Sequence, residues 1–189
     1  MKIAIFDVQA GEKKYFTKHL AGHELFFTRN KVDETTAPLA KDCQVLMVFI
    51  TSKLTSKVLA TMPKLKLIIT RSTGFDHIDL EYCERQGIMV TNVPSYGENT
   101  VAEHAFALIL TLSRNIHKSY LRTTREDYRI EGLKGFDLRG KTIGVVGAGK
   151  IGLHLIKMAR GFDMQVLTYD VNRNDFLADV LGFKYVSLE

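Results

Sequence analysis

Several features are scarce in this sequence, and each absence excludes a class of protein. The longest apolar stretch, Ala105–Leu112, is too short to span a bilayer. The start, Met1–Phe6, already has the pattern of a strand and lacks the apolar segment and cleavage site of a signal peptide. The two cysteines, Cys43 and Cys83, form neither a CxxC motif nor a metal-type spacing. We therefore expect a cytoplasmic protein with reduced, partly buried thiols, no metal site and no membrane partner.

Dense clusters of one charge are missing too. The chain carries 26 basic and 21 acidic residues, a net charge of +5, and its basic residues are scattered without interleaved aromatics. This pattern is typical of a solvated mixed-charge surface and argues against a nucleic-acid partner. A modest positive field suits an anionic substrate and cofactor. The apolar fraction of 46% suffices for a packed core.

The first half of the chain alternates between strand-like and helix-like segments. The predicted strands are Ile3–Val8, Glu24–Thr28, Val45–Ile50, Leu67–Thr70 and Ile88–Thr91. The intervening helical stretches lie around residues 12–20, 33–41, 54–61 and 79–86. Such alternation predicts an α/β fold with a parallel sheet and helices on both faces, of the flavodoxin-like kind.

A hinge is predicted at Asn92-Val93-Pro94, because the residue before proline prefers an extended conformation. It divides the chain into domains 1–94 and 95–189. Beyond it, Thr100 and Glu103 have the spacing of a capping box that would open a helix ending near Lys118. This helix is apolar around almost its whole circumference, which predicts burial on several sides. We expect packing between domains or a homodimer formed through the 100–118 region.

A glycine-rich turn, Gly147–Gly152, is the most informative motif. It follows an apolar β-branched run, Lys141–Val146, and leads into a helical pattern at Ile151–Arg160. A second strand, Gln165–Asp170, then ends in an acidic residue. Strand, glycine turn, helix, strand and terminal acid in this order favour a nicotinamide-dinucleotide site over an ordinary glycine-rich turn.

Each residue of this motif has a predicted role. Gly147 allows the tight turn, Gly149 lets the pyrophosphate approach the backbone, and Gly152 lets helix and strand pack closely. The helix N-terminus offers free N–H groups and partial positive charge to the phosphates. Asp170 would accept hydrogen bonds from the adenosine ribose and favour NAD, while Arg173 leaves some tolerance for NADP.

A competing motif, Gly135–Thr142, matches the phosphate loop of nucleoside triphosphatases letter for letter. That loop functions between a strand and a following helix, whereas a strand follows Thr142 here. The pattern is therefore interpreted as accidental, with Lys141 a solvated residue at the entrance of a strand. The dinucleotide unit also contains only the first half of a doubly wound domain, which would leave its first strand with an unpaired edge. We therefore expect these 189 residues to be a fragment of a longer polypeptide.

Three motifs in series, Arg71–Asp79, Asn92–His104 and Leu138–Gly152, resemble those of the D-isomer-specific 2-hydroxyacid dehydrogenases. The resemblance covers essentially the whole chain in the family's order. It implies a flavodoxin-like substrate domain followed by an NAD-binding Rossmann domain, with the active site in the cleft between them. It also implies interconversion of a small 2-oxo acid and a D-2-hydroxy acid with NAD. A non-catalytic NAD-sensing protein, such as a corepressor on the same fold, is the alternative.

Carried over residue by residue, the resemblance assigns the substrate carboxylate to the amides of Thr73 and Gly74, although a purely structural turn would look alike. Tyr96 matches an active-site tyrosine of the D-lactate-like members, or it is a half-buried loop aromatic. Lys150 and Ile151 match the pair beside the cofactor phosphates.

The resemblance assigns no catalytic residue to this chain. His77 and His104 lie inside family motifs but are interpreted as packed, hydrogen-bonded imidazoles. The family's catalytic arginine, its glutamate and its acid–base histidine have no counterpart in residues 1–189. We therefore expect these residues alone to be an inactive fragment.

Overall fold

The computed structural model describes residues 1–189, which form two compact units, Met1–Tyr96 and Gly97–Glu189. The division falls after Tyr96, close to the boundary predicted after residue 94. None of the helices combines the length and the hydrophobicity that a membrane-spanning segment needs.

Unit 1 contains a five-stranded parallel sheet in the order β2-β1-β3-β4-β5, the flavodoxin-like order. Its strands are β1 (Lys2–Ile5), β2 (Glu24–Phe27), β3 (Val45–Val48), β4 (Leu67–Thr70) and β5 (Met89–Thr91). All five predicted strands are present, so the predicted fold class is confirmed. β1 ends before the predicted Val8 because Asp7 has a left-handed backbone with φ 55°, which no strand accommodates.

The helices of unit 1 are α1 (Glu12–His19), α2 (Ser56–Leu59) and α3 (Leu80–Arg85). The segment predicted to be helical at 33–41 forms only a 3₁₀ turn at Ala37–Ala40. Before it, the Asp33 carboxylate accepts hydrogen bonds from the amides of Thr35 and Thr36. Such a local turn competes with an α-helix, which is why the helical stretch is shorter than predicted.

Two apolar cores lie on opposite faces of the unit 1 sheet, because successive strand residues point to opposite faces. One core includes Ala4, Phe6, Leu46, Val48 and Ile68, and the other includes Ile3, Ile5, Val45 and Met47. Both faces being covered explains why these strands are continuous apolar runs. Cys43 and Cys83 are free thiols, as predicted, but they are fully buried in the first core rather than partly buried. Burial raises the pKa of Cys43 to about 11.

Unit 2 begins with α4 (Glu98–Ser113), and the predicted capping box is wrong. The N-cap is Gly97, whose carbonyl already accepts the amide of Val101, so Thr100 lies inside the first turn. The Glu103 carboxylate instead accepts a hydrogen bond from the side chain of Asn99, one turn earlier.

The single helix predicted to reach Lys118 is also wrong, because the chain turns at Asn115 and starts α5 (Ile116–Thr123). Asn115 has a left-handed φ of 51°, a conformation that asparagine tolerates better than most residues. Its side-chain amide donates to the carbonyls of Leu133 and Lys134, which stabilises the turn.

α4 buries only one side within this chain. Ala102, Phe106 and Ser113 are buried, whereas Val101, Leu108 and Leu112 are more than half exposed. The predicted burial on several sides is therefore not achieved by contacts within unit 2.

The second sheet has three parallel strands in the order β6-β7-β8. They are β6 (Thr142–Val146), β7 (Gln165–Tyr169) and β8 (Lys184–Tyr185), connected by α6 (Lys150–Gly161) and α7 (Asp175–Leu181). β6 pairs only with β7, so its other edge is unpaired, as predicted. The short strand β8 was not predicted.

Candidate functional site

The glycine turn between β6 and α6 has the backbone that the motif predicts. Gly147 has φ 102°, a region that favours glycine. A Cβ at Gly152 would collide with the Gly147 carbonyl oxygen, so only glycine allows this close packing. A Cβ at Gly149 would meet no atom within 4 Å, so the space beside it is open to a ligand. The three glycines thus differ in conformation, packing and accessibility.

The N-terminus of α6 directly follows this turn. Gly149 is its N-cap and makes no side-chain capping bond, and a helix N-terminus carries a partial positive charge that suits an anion. Lys150 and Ile151 are both exposed at this end. The Lys150 ammonium lies 3.5 Å from a carboxylate oxygen of Glu98 in the same unit.

Asp170, at the end of β7, lies beside the glycine turn because β6 and β7 are parallel neighbours. Its Oδ1 accepts the amide of Asn172 at 2.7 Å, and its Oδ2 accepts the amide of Ala148 at 2.6 Å. Both hydrogen bonds favour the ionised carboxylate and hold the pKa of Asp170 below its usual value. The bond from the Asn172 amide has the larger effect and the bond from the Ala148 amide the smaller. Asp170 therefore also fastens the glycine turn, a role that the motif does not reveal.

The accidental phosphate-loop pattern has a structural explanation. Lys141 is exposed immediately before β6, and no helix follows Thr142. A Cβ at Gly135 would collide with the Ser113 carbonyl oxygen at the end of α4, and Phe136 donates its amide to that same oxygen at 2.9 Å. This glycine serves packing, and the strand predicted to follow Lys141 is present.

In unit 1, the loop after β4 carries Thr73 and Gly74. The loop after β5 fixes it: the Thr73 hydroxyl donates to the Val93 carbonyl at 3.0 Å, and the Asn92 side chain donates to the Thr73 carbonyl at 2.8 Å. The backbone amides of Thr73 and Gly74 take no part in the backbone hydrogen bonds of the unit, and both residues are exposed. Two adjacent free amides at the carboxyl end of a parallel sheet can bind an anion.

Arg71, just before this loop, makes four side-chain hydrogen bonds. It donates to both carboxylate oxygens of Glu12 at 2.8 Å and to the carbonyls of Phe6 and Asp7 at 2.8 and 3.0 Å. Its side chain is 16% exposed. Burial alone would raise the pKa of Glu12, but bonds from the Gln9 amide and Arg71 hold it below its usual value. Arg71 thus ties the carboxyl ends of β1 and β4 together.

Asp7 is a second buried charge at this edge. Its carboxylate accepts hydrogen bonds from the hydroxyls of Thr51 and Ser52, the latter at 2.8 Å. Sequence reasoning missed both charged residues. Their only signal is a charged residue that directly follows a buried apolar strand.

With this geometry in view, comparison with known proteins identifies the family. The family model described as D-isomer specific 2-hydroxyacid dehydrogenase, catalytic domain, matches residues 3–178. The chain belongs to this family. It is 37% identical to a 2-hydroxyacid dehydrogenase homolog of Haemophilus influenzae and 36% identical to a D-lactate dehydrogenase of Escherichia coli. These matches cover 100% of the chain but 58% of either relative.

Solved structures of the family show the same fold. The D-lactate dehydrogenase of Aquifex aeolicus in complex with NAD and lactic acid matches with a TM-score of 0.92 and 35% identity, over 98% of this chain and 56% of that one. The apo D-lactate dehydrogenase of Escherichia coli matches with a TM-score of 0.83 and 36% identity, over 100% of this chain and 60% of that one.

The remaining residues singled out by the family motifs behave differently from one another. His77 is half-buried, with Nε2 3.2 Å from the Thr70 hydroxyl oxygen, and burial lowers its pKa despite the opposing charges of Asp76 and Asp7. The packed imidazole predicted here is confirmed. For His104 the same prediction is wrong, since it is exposed on α4. Tyr96 is 63% exposed at the end of unit 1, so it is not a half-buried loop aromatic.

Proposed function

We propose that this chain supplies the substrate-carboxylate loop and the cofactor-phosphate turn of an NAD-dependent D-2-hydroxyacid dehydrogenase. The parent activity would interconvert a small 2-oxo acid and its D-2-hydroxy acid, as in a D-lactate dehydrogenase. The observation that carries the proposal is the Gly147–Gly152 turn, with its open Gly149, its uncapped helix end and the Asp170 carboxylate beside it.

The residues of unit 2 have the chemistry that the cofactor needs. The N-terminal end of α6, with its partial positive charge, and the cationic Lys150 side chain suit the pyrophosphate. Asp170 is held ionised, and two amides leave part of its lone-pair capacity free to accept ribose hydroxyls. A carboxylate at this position repels a 2′-phosphate, so we propose NAD rather than NADP. When bound, NAD supplies the hydride acceptor, and the protein supplies binding and orientation.

The residues of unit 1 suit the substrate. The free amides of Thr73 and Gly74 would bind the carboxylate of the 2-oxo acid, and the exposed Tyr96 hydroxyl would donate to the same group. The side chains of Asn92 and Thr73 hold this loop in place, so its amides need little reorganisation on binding.

Titration of the chain with NADH and NADPH, followed by nicotinamide fluorescence, tests the cofactor proposal. We expect tighter binding of NADH, and a loss of about tenfold or more in Asp170→Ala, because the ribose acceptor and the anchor of the Ala148 amide are both removed. Lys141→Ala is the matched control and should bind NADH unchanged. Tighter binding of NADPH than of NADH would contradict the assignment.

We further propose that residues 1–189 alone do not catalyse the reduction of a 2-oxo acid. Reduction of a 2-oxo acid needs a positioned proton donor, worth about 10²–10⁴-fold in rate, and the resemblance assigns none to this chain. An assay with NADH and pyruvate checks this, and turnover matching a full-length relative would contradict it.

A homodimer formed through the 100–118 region is proposed as well, supported by the exposed apolar side chains of Val101, Leu108 and Leu112. Sedimentation equilibrium of the wild type and of Leu108→Glu tests it, since a charge in an apolar interface should shift the mass toward the monomer.

A further inference from the structure

The loop that follows Asp170 is held by β8, which no sequence motif indicated. The Asn174 amide donates to the Tyr185 hydroxyl at 3.2 Å, and Asn174 in turn caps α7 by accepting the Leu177 amide at 3.1 Å. The Tyr185 ring is half-buried and packs edge-on against Phe183, with centroids 5.1 Å apart. Tyr185 is therefore held in place by packing and anchors the loop of residues 170–174 through the Asn174 amide.

Tyr185 also holds the side chain of Arg173. The guanidinium carbon lies 5.7 Å from the centroid of the tyrosine ring, within the range of a cation–π interaction. Arg173 Nη2 further donates to the Val186 carbonyl at 3.5 Å. The Tyr185 ring and the Val186 carbonyl together hold the Arg173 guanidinium against β8.

Arg173 is the only cation among residues 170–174, the segment that starts at the proposed ribose acceptor. A guanidinium is the group that binds a phosphate in bidentate fashion. We propose that Tyr185 is a positioning residue that withholds Arg173 from the 2′ position of the adenosine ribose and so makes the site select NAD over NADP. This inference rests on the proposed cofactor site and deepens it.

The selection has two parts with different origins. The Asp170 carboxylate repels a 2′-phosphate, and no other charge of the loop offsets that repulsion while Arg173 stays on Tyr185. Replacing the ring by an aliphatic side chain removes the cation–π contact and the Asn174 bond, so the guanidinium can turn toward the ribose. The ratio of the dissociation constants for NADP⁺ and NAD⁺ should then fall about tenfold, equivalent to about 1.4 kcal/mol.

Amide hydrogen exchange, measured by NMR without any ligand, tests the hydrogen bond from the Asn174 backbone amide to the Tyr185 hydroxyl. The Asn174 amide should exchange several-fold faster in Tyr185→Phe than in the wild type, because only the accepting hydroxyl is lost. Tyr128→Phe, a change at an exposed tyrosine of the same unit, should leave it unchanged. An equal rate in Tyr185→Phe and the wild type would overturn the proposed hold.

Calorimetric titration with NAD⁺ and NADP⁺ tests the selectivity. Tyr185→Leu should show the tenfold fall in the ratio, whereas Tyr185→Phe, which keeps the ring, should stay near the wild type. Arg173→Ala alone should leave the wild-type ratio within about twofold, yet in the Tyr185→Leu background it should restore that ratio.

Two results would overturn the inference without contradicting the proposed cofactor site. One is an unchanged ratio of the NADP⁺ and NAD⁺ dissociation constants in Tyr185→Leu. The other is weaker NADP⁺ binding in Arg173→Ala than in the wild type. A wild type that binds neither dinucleotide would contradict the proposed function, and the selectivity with it. The Asn174 exchange rate distinguishes these cases, because it reports on Tyr185 without ligand.

Discussion

The two sheets of this chain are both parallel, yet they are covered differently. In unit 1 an apolar core lies on each face of the sheet, so every residue of β3 and residues 3–5 of β1 are buried. In unit 2 one core lies on one face, and on β6 the residues Thr142, Gly144 and Val146 are exposed. A continuous apolar run such as Ile143–Val146 indicates a strand suited to burial on both faces. It does not show that both faces are covered within this chain.

The largest expected effect separates the buried sheet from the exposed one. Leu46→Ala removes a fully buried side chain from β3 and should lower the free energy of unfolding of unit 1 by about 2–5 kcal/mol. Val146→Ala, at a residue 76% exposed on β6, should change that of unit 2 by less than about 0.5 kcal/mol. Hydrogen exchange of β3 and β7 amides measures the two units separately. Equal losses would show that the exposed face of β6 is covered in solution.

The next effect distinguishes packing from ligand space within unit 2. Gly152→Ala forces a methyl group against the Gly147 carbonyl and should destabilise unit 2 by about 1–3 kcal/mol. Gly149→Ala should leave the stability nearly unchanged but weaken NADH binding, because the methyl group occupies the space proposed for the pyrophosphate. Thermal denaturation and NADH titration of both variants check this. Unaltered NADH binding in Gly149→Ala would contradict the placement of the phosphates.

An effect of similar size is expected for the ion pair that joins strand ends in unit 1. Arg71→Lys replaces two donor nitrogens, Nη1 on the Glu12 carboxylate and Nη2 on the carbonyls of Phe6 and Asp7, by one ammonium, so it should cost about 1–3 kcal/mol. The matched control is Arg139→Lys, whose pair with Asp163 is solvent-exposed and should matter by less than about 0.5 kcal/mol. Urea denaturation compares them. Equal costs would show that the Arg71 network is no stronger than a surface pair.

The smallest effect is a pH dependence confined to unit 1. Burial lowers the pKa of His77 in the folded state, so the unfolded chain binds more protons at mildly acidic pH. The contribution of His77 is therefore complete above its unfolded pKa of about 6.5 and declines as the pH falls below that value. Urea midpoints at pH 8 and pH 5.5 should differ more in the wild type than in His77→Gln. An identical difference in both would assign the dependence to other groups.

Local patterns predicted much of this molecule. The five strands of unit 1 follow from short apolar runs between turn residues, and the glycine turn with Asp170 follows from a spacing set by strand and helix lengths. The prediction was wrong where a tertiary contact decides the outcome. The helix predicted to reach Lys118 stops at Ser113, where the chain turns and Asn115 binds the carbonyls of Leu133 and Lys134, about twenty residues away.

Residue types and short-range spacing were enough to predict the fold class, the family and the position of the glycine-rich turn. The contacts of Arg71 with the strand-end carbonyls, of Asp170 with the glycine turn and of Arg173 with Tyr185 became visible only in the folded molecule. Each of these contacts joins segments brought together by strand pairing, and a side chain's partner across a sheet cannot be deduced from its own neighbours in sequence.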